Sequence, residues 1–520
     1  MSTVLKIFLI IINLFVINFS NLNFYKYYQL SGYYLLKAMN YFCKNVFVYS
    51  QLILILFFNI SIIFTNNFYI ISLLNFLFLL IIFLTIISLK KQGKNRLVFT
   101  KRFTRIFTLT NILCFLYLFF LSFYIKNLLI FKYFLINFCL IFYFIFLISH
   151  ILINPVECLV RKLYIKKAQK KLKKMPNLKV ICITGSFAKT SVKNILFEML
   201  KSKYKVCKTQ KSYNTQMGIT KVILNDLKIS DEILILEFGA DHNHDIKKLC
   251  KIIRPDHIII TGVTKQHLKT FKTMQNLIST KFELVENMKE NGFAVFNYDN
   301  EISKQFYNLC KSKNKSFVSL NEQNFNKNFV LANNISCKFN KTEFNLCFNN
   351  KKIKCQTKLL GKHNVMNILL ASQMAINFGV ELSKICLAIQ NLVPTPHRLN
   401  LIENNGKFIL DDSFNSNPEG AKFAIEVLKT FEGKKTVITP GLVELGKEQF
   451  DENVKLGELL KDIDFVLITN FVNKKALLKG LENSKNQVFC FESLLDATKK
   501  LKALSSDCIL FLNDLPDNYK

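Results

Sequence analysis

The 520-residue sequence predicts an α/β protein with an N-terminal all-α transmembrane domain ahead of two doubly wound α/β units. Three observations predict it. No Asp or Glu occurs before Glu157, and the residues ahead of it are rich in Leu, Ile, Phe and Asn. From about residue 176, short apolar strands alternate with amphipathic helices, the pattern of a mostly parallel sheet. The stretch Ile181-Cys-Ile-Thr-Gly-Ser-Phe-Ala-Lys-Thr-Ser191 joins a β-rich run to a helical pattern through a Gly-Ser turn.

The first third reads as membrane. Five apolar spans lie at about 4–20, 46–65, 68–89, 107–125 and 128–153. Each is near the ~20 residues a bilayer requires. Helices apolar on every face have no side to show water, which argues against a soluble core. Residues 21–45, with Tyr25, Tyr27, Tyr28, Tyr33 and Tyr34, read as an interfacial amphipathic segment. Basic clusters lie at Lys90–Arg105 and at Arg161–Lys174. Lys and Arg mark cytoplasmic loops, so everything after residue 154 is expected in the cytosol and Asn127 outside. The expected organisation is a transmembrane domain over 1–155 with about five helices, then a basic cytoplasmic linker over 156–175. Membrane lipid is the implied partner.

The net charge is +34, from 70 Lys and Arg against 36 Asp and Glu. This excess accompanies an Ile, Asn and Phe excess, and no basic patch interleaved with aromatics stands out. Nucleic acid is therefore not an expected partner. The 14 cysteines contain no Cys-x-x-Cys pair, which fits reduced thiols and not a disulfide framework or a zinc site.

In the first α/β unit the expected strands are Val180–Thr184, Ile233–Glu237, His257–Gly262 and Ala294–Asn297. Residues 316–360 read as short antiparallel strands, an insertion, followed by a helix over Asn364–Phe378. The second unit begins near Thr395-Pro396, with strands Phe408–Leu410, Thr436–Thr439, Phe465–Thr469 and Ile509–Leu512.

Strand, tight loop, Lys, hydroxyl, helix is an arrangement that cradles phosphate. Backbone N–H groups and the helix N-terminus face the anion, Lys189 neutralises phosphate oxygens, and a hydroxyl such as Thr190 holds Mg²⁺. An ordinary βα turn with a chance Lys is the plain alternative. Glu237 ends a buried strand at the carboxyl edge of the sheet, where ligands of such folds bind. A carboxylate there can hold Mg²⁺ opposite Thr190, or it can be an ordinary strand-end acid.

Nine ordered motifs carry a resemblance. They are Thr184-Gly-Ser-Phe-Ala-Lys-Thr-Ser191, Tyr213-Asn-Thr-Gln-Met-Gly218, Glu237-Phe-Gly-Ala240, His267 with Lys281 and Glu283, and Asn297-Tyr-Asp299, followed by Gly361-Lys-His-Asn364 with Asn367, Arg398, Asp411-Asp-Ser-Phe-Asn-Ser-Asn-Pro418, and Gly441-Leu-Val-Glu-Leu-Gly446. Residues 176–520 resemble the Mur ligase family of ATP-dependent amide ligases, and within it the D-alanyl-D-alanine-adding branch. The resemblance implies a P-loop-type central ATPase domain over 176–393 and a Rossmann-like C-terminal domain over 394–520. It implies an ADP-forming acid–amino-acid ligase of peptidoglycan precursor synthesis, which the apolar spans would place at the bacterial inner membrane. Its substrates would be a UDP-N-acetylmuramoyl-tripeptide and D-alanyl-D-alanine, and its partners cell-wall synthesis proteins.

The resemblance also assigns roles. Thr184, Gly185, Ser186, Lys189, Thr190 and Ser191 would hold the ATP phosphates. Thr190, Glu237, His267 and Lys281 would bind two Mg²⁺ ions, with Lys281 carbamylated so that a cation becomes a carboxylate. Asn297, Asn364 and Asn367 would line the nucleotide site, and Asp412 would take the ribose hydroxyls. Arg398 would reach the γ-phosphate from the second domain, a task that suits a planar, permanently charged fork. Lys189, Lys281 and Arg398 would be catalytic, and Asn214, Asn415 and Asn417 would bind substrate.

The sequence departs from the family in three places. Ala188 stands where a glycine is expected before Lys189. If that position needs φ > 0, its Cβ costs roughly 1–2 kcal/mol. Phe414 replaces a Tyr. The N-terminal apolar region occupies the place of the family's UDP-gripping domain. Three other readings follow: a membrane-anchored ligase for another, for example lipid-linked, carboxylate; a folylpolyglutamate-synthase-like ligase, disfavoured by the Asp412–Pro418 motif; and a degenerate nucleotide-binding scaffold for cell-wall machinery.

Overall fold

The computed structural model describes residues 21–35, 97–125, 127–210, 212–321, 329–338, 340–404, 406–414 and 417–513, with scattered positions before residue 20. The apolar spans expected at 46–65 and 68–89 lie outside the described residues, as does most of the span at 4–20. The chain divides into one unit over Met1–Leu163 and another over Tyr164–Leu515.

Among the described residues, three helices belong wholly or partly to the first unit: α1 (Leu22–Leu30), α2 (Lys101–Tyr124) and α3 (Leu128–Lys173). Among the described residues, two helical stretches, Lys101–Tyr124 and Ile141–Lys173, are long and apolar enough to cross a membrane. Thr100 caps α2 by accepting from the Phe103 N–H at 3.2 Å. The α1 segment was expected at an interface, but Tyr25 and Tyr28 are wholly buried. Tyr25 meets Phe103 edge-on at 5.4 Å and Tyr28 meets Phe146 at 5.1 Å, so these rings serve as core. Glu157, the first acid of the chain, is also buried and accepts from Arg105 Nε at 2.5 Å. A buried carboxylate needs such a partner.

The last turns of α3 enter the core of the second unit. Ala168 is buried there, Ile165 and Leu172 pack beside it, and Lys171 Nζ donates to the carbonyls of Leu224 and Leu227 at 3.1 and 2.6 Å. The basic stretch expected as a linker is thus helix through Lys173, held by its apolar stripe.

The second unit carries one parallel sheet and one mostly parallel sheet. The first contains β1 (Lys179–Thr184), β2 (Val206–Lys208), β3 (Ile233–Glu237), β4 (His257–Ile260), β5 (Ala294–Asn297) and β6 (Lys315–Val318). Their order is β2-β3-β1-β4-β5-β6, every pair parallel. Strand residues alternate between two cores. Ile181, Ile183, Ile235 and Ile259 face one, and Cys182, Leu234, Leu236 and Ile258 face the other. Burial on both faces explains why these strands read as unbroken apolar runs. The helices between them are α4 (Lys189–Leu200), α5 (Gln216–Lys221), α6 (Asp245–Cys250), α7 (Leu268–Phe271), α8 (Met274–Glu286) and α9 (Glu301–Leu309).

The insertion is a three-stranded antiparallel sheet of β7 (Leu331–Lys338), β8 (Lys341–Phe348) and β9 (Lys351–Thr357). It begins later than the sequence suggests, because Lys315–Val318 pairs with β5 and completes the parallel sheet. Helices α10 (Lys362–Asn377) and α11 (Leu382–Gln390) follow, and α10 covers the same sheet face as α4.

The second sheet is ordered β10-β11-β15-β12-β13-β14. It comprises β10 (Asn400–Asn404), β11 (Lys407–Asp412), β12 (Lys435–Thr439), β13 (Phe465–Thr469), β14 (Gln487–Phe491) and β15 (Cys508–Leu512). Only β10 runs antiparallel. Helices α12 (Pro418–Lys429), α13 (Gln449–Leu459), α14 (Lys474–Gly480) and α15 (Leu494–Lys502) complete the domain. The expected strands are present. β10 and β14, half-buried edge strands, are additional.

Candidate functional site

The loop between β1 and α4 is built by its neighbours. Thr184 Oγ1 donates to the Phe238 carbonyl at 3.0 Å, and Ser186 Oγ donates to the Thr264 carbonyl at 2.9 Å. Gly185 sits at φ 153°, and a Cβ there would lie 2.0 Å from Thr261 Oγ1, so no side chain fits. Lys189 Nζ donates to the Gly185 carbonyl at 2.7 Å, closing the loop. Burial pushes the Lys189 ammonium below its ordinary pKa, against the pull of Glu237. Ala188 adopts φ 60°, ψ −3°, the left-handed conformation that glycine takes without cost. Ser191 lies half-buried in the first turn of α4.

Glu237, at the end of β3, is 2% exposed. Its Oε2 accepts from Thr190 Oγ1 at 2.8 Å and pairs with Lys193 Nζ at 3.4 Å. Lys193 is itself buried, one turn along α4 from Lys189. Nothing in the sequence distinguishes it from a surface helix Lys; only the packing of α4 on the sheet turns it inward.

Lys281 lies on α8, 2% exposed, and makes no ion pair or hydrogen bond among the described residues. Burial, then the charge of Lys189, pushes its pKa down to about 7, although Asp241 and Glu237 pull upward. Its neighbour Glu283 faces elsewhere, accepting from the Lys247 N–H at 2.8 Å and pairing with His244 Nδ1 at 2.7 Å. His267 precedes α7 at φ 52°. Its Nε2 lies 3.5 Å from Asp241 Oδ1, and its Nδ1 lies 2.5 Å from Glu444 Oε2. Glu444 lies within the Gly441–Gly446 motif and Asp241 directly follows the Glu237–Ala240 motif, but each meets His267 only through the fold, which no motif announces.

From the second domain, Arg398 stacks on Phe414 with 4.7 Å between the guanidinium carbon and the ring centroid. The charges of Glu237 and Asp412 both reach it. A Phe ring serves this cation–π contact without the hydroxyl of Tyr. Asp412 accepts from the Leu399 N–H at 3.1 Å, and burial pushes its carboxyl up to about 7 against the opposing Arg398. Asn417 caps α12 by accepting from the Gly420 N–H at 2.8 Å, and its Nδ2 donates to the Ser186 carbonyl at 3.3 Å. The phosphate loop is thus tied to the second domain. Asn415 lies outside the described residues.

The expected nucleotide and substrate asparagines are engaged locally. Asn297 donates to the Thr261 carbonyl at 2.8 Å and accepts from the Asp299 N–H at 3.1 Å, which leaves one amide hydrogen and one lone pair. Asn364 donates to the Leu360 carbonyl at 2.8 Å, and Asn367 donates to Asn364 Oδ1 at 3.1 Å. The Asn214 carbonyl accepts from the Gly239 N–H at 3.0 Å, two residues past Glu237.

The donor set suits a hard cation. Thr190 and Glu237 offer oxygens at the carboxyl edge, and Asp241 with His267 offers a carboxylate and an imidazole. No group of three His, Cys, Asp or Glu residues forms a closed cage among the described residues. Mg²⁺ commonly takes one or two protein carboxylates and completes its shell with water and phosphate oxygens, so this sparse set fits it.

One prediction follows from Ala188. Replacing it by glycine removes a left-handed Cβ cost of about 1–2 kcal/mol, less the ~0.5–1 kcal/mol that glycine loses to unfolded-state entropy. Chemical unfolding of Ala188→Gly in detergent micelles should show a gain of up to about 1 kcal/mol. A loss would mean that the turn is not strained.

Comparison with known proteins places this geometry in a family. The Mur ligase middle domain matches residues 183–375, and the Mur ligase, glutamate ligase domain matches residues 397–512. The UDP-N-acetylmuramoyl-tripeptide--D-alanyl-D-alanine ligase of Buchnera aphidicola subsp. Baizongia pistaciae is 31% identical over 327 residues, covering 59% of this chain and 70% of that protein. The ligase of the same name from Escherichia coli (strain K12) is 29% identical over 294 residues, covering 56% of this chain and 64% of that protein. The crystal structure of MurF ligase from Thermotoga maritima in complex with ADP aligns with TM-score 0.60 at 26% identity, over 69% of this chain and 81% of that one. The phosphate loop, the buried strand-end carboxylate and the arginine of the second domain all fall within the matched regions, and the chain belongs to the Mur ligase family.

Proposed function

We propose that this chain is an ATP-dependent, ADP-forming ligase of peptidoglycan precursor synthesis. It would join D-alanyl-D-alanine to a UDP-N-acetylmuramoyl-tripeptide through an acyl phosphate. One observation carries the reading. Glu237 of the first α/β domain bonds the Thr190 hydroxyl and lies within charge reach of Lys189 and Lys281 of the same domain and of Arg398 of the second. The names of the relatives supply the substrates.

Each residue then has a task. Lys189 and the N-terminal N–H groups of α4 receive the transferring phosphoryl group, and Arg398 meets it from the other side of the cleft. Thr190 and Glu237 would hold Mg²⁺, and His267 with Asp241 would hold a second ion; bound magnesium screens the phosphate charge as it moves. Asn417, through its bond to the Ser186 carbonyl, sets the spacing of the two domains around the reacting groups. Asp412 lies beside Arg398, suited to the ribose hydroxyls. Lys281 is where carbamylation is chemically reasonable, since only a neutral amine attacks CO₂ and burial brings this one to about 7.

A second reading keeps the chemistry and changes the carboxylate. The apolar helices over Lys101–Tyr124 and Ile141–Lys173 support a membrane-anchored enzyme, for which a lipid-linked substrate is accessible. In either reading the chain is a multi-pass protein of the bacterial inner membrane with its catalytic domains in the cytosol.

Phosphate release by the purified protein tests the chemistry. Turnover should require ATP, the UDP-linked tripeptide and D-alanyl-D-alanine together, and Lys189→Ala should lower it on the order of 10²–10³-fold. Turnover with a lipid-linked tripeptide but not the UDP-linked one would select the second reading. Near-normal turnover in Lys189→Ala would sink the phosphate-loop assignment.

Lys281→Ala should be nearly inactive, and acetate in solution should restore part of the activity by filling the vacated space with a carboxylate. Rescue by amines instead would make Lys281 a cationic phosphate contact. Unchanged activity would remove it from the site.

Reporter fusions test the topology. A fusion after Lys174 should read as cytoplasmic and one at Asn127 as external. The opposite result would place the ligase where ATP is absent.

A further inference from the structure

The contact of His267 with Glu444 crosses from one α/β domain to the other. His267 Nδ1 lies 2.5 Å from Glu444 Oε2, while Nε2 points toward Asp241 at 3.5 Å. An imidazole whose Nδ1–H is held by a carboxylate presents the Nε2 lone pair in a fixed direction. Both residues hold left-handed backbone, His267 at φ 52° and Glu444 at φ 66°. Such conformations are strained in non-glycine residues and persist where the surroundings over-determine them.

The surroundings do so. The Lys269 N–H donates to the Glu444 carbonyl at 3.2 Å. Gly446 abuts Leu268, whose carbonyl carbon would stand 3.3 Å from a Cβ added at that glycine. Lys265 pairs with Glu452 at 3.0 Å and also with Glu448. The segment 265–269 is therefore gripped along its length by residues 444–452 of the second domain.

We propose that Glu444 is a positioning residue: it orients His267 across the cleft, so that this ligand is aimed only when the two domains are together. The proposal rests on the reading above that His267 ligates magnesium. It couples the second metal position to domain closure. A nucleotide bound to the first domain alone would find that position unfinished.

The test uses the full-length protein in detergent micelles with ADP, and Mn²⁺ as the probe, read by electron paramagnetic resonance. Amide exchange of residues 264–272 is followed alongside. His267→Ala defines the class of Mn²⁺ sites concerned. Glu444→Ala should weaken that class about 10–100-fold and speed exchange in the segment. Glu444→Gln, which keeps an acceptor for Nδ1–H, should retain most of the affinity. Unchanged Mn²⁺ affinity in Glu444→Ala would overturn the proposal, even if exchange quickens, since Glu444 would then fasten the domains without orienting the ring. Equal loss in the Gln and Ala variants, or no effect of His267→Ala, would overturn it as well. Failure of the ligase reading is a separate result: no turnover with any substrate pair, while Mn²⁺ binding follows the expected order.

Discussion

A carboxylate that cannot reach water organises the site. Glu237 ends a strand buried on both faces, and a lone ion there would be expensive to keep. The Thr190 hydroxyl and the Lys193 ammonium are its immediate compensation. Lys189, Lys281 and Arg398 also lie within its field, so one anion draws four cationic groups toward the carboxyl edge of the sheet. Removing the carboxylate would leave Lys193 buried without that counter-charge, a larger loss than a single contact. The phosphate loop, one strand away, inherits its electrostatics from this residue.

The second domain answers the first at separate points. Arg398 brings charge, Asn417 brings a hydrogen bond to the loop backbone, and Glu444 meets a side chain. Each of these residues borders a turn. Arg398 lies between His397 and Leu399, both left-handed; Asn417 caps α12; and Glu444 is itself left-handed. Rigid strands and helices carry these turns, and the turns carry the chemistry, a division common in α/β enzymes.

Legibility in the sequence followed how local each determinant is. The central strands were readable because burial on both faces demands continuous apolar runs. β2, at three residues, and the edge strands β6, β10 and β14 were not, since their pairing comes from neighbours far along the chain. The strain at Ala188 was readable only as a condition, from the glycine that the resemblance expects there, and the structure supplies the φ of 60°. The roles of Lys193 and Asp241 were not readable, because burial and contacts made through the fold have no local signature, and Glu444 was legible as part of the Gly441–Gly446 motif but not as a partner of His267. The tyrosines of α1 misled in another way: a ring with one polar tip suits an interface and a buried cluster equally well.

The basic end of α3 has a consequence for how the chain can be cut. Arg161, Lys162, Lys166, Lys167, Lys170, Lys171, Lys173 and Lys174 would make it an inviting target for a trypsin-like protease. Cleavage requires local unfolding, and beyond Tyr164 the helix cannot fray without drawing Ala168 and Leu172 from the core and releasing two carbonyls from Lys171. Proteolytic susceptibility there would report the stability of the catalytic unit itself and not the looseness of a tether.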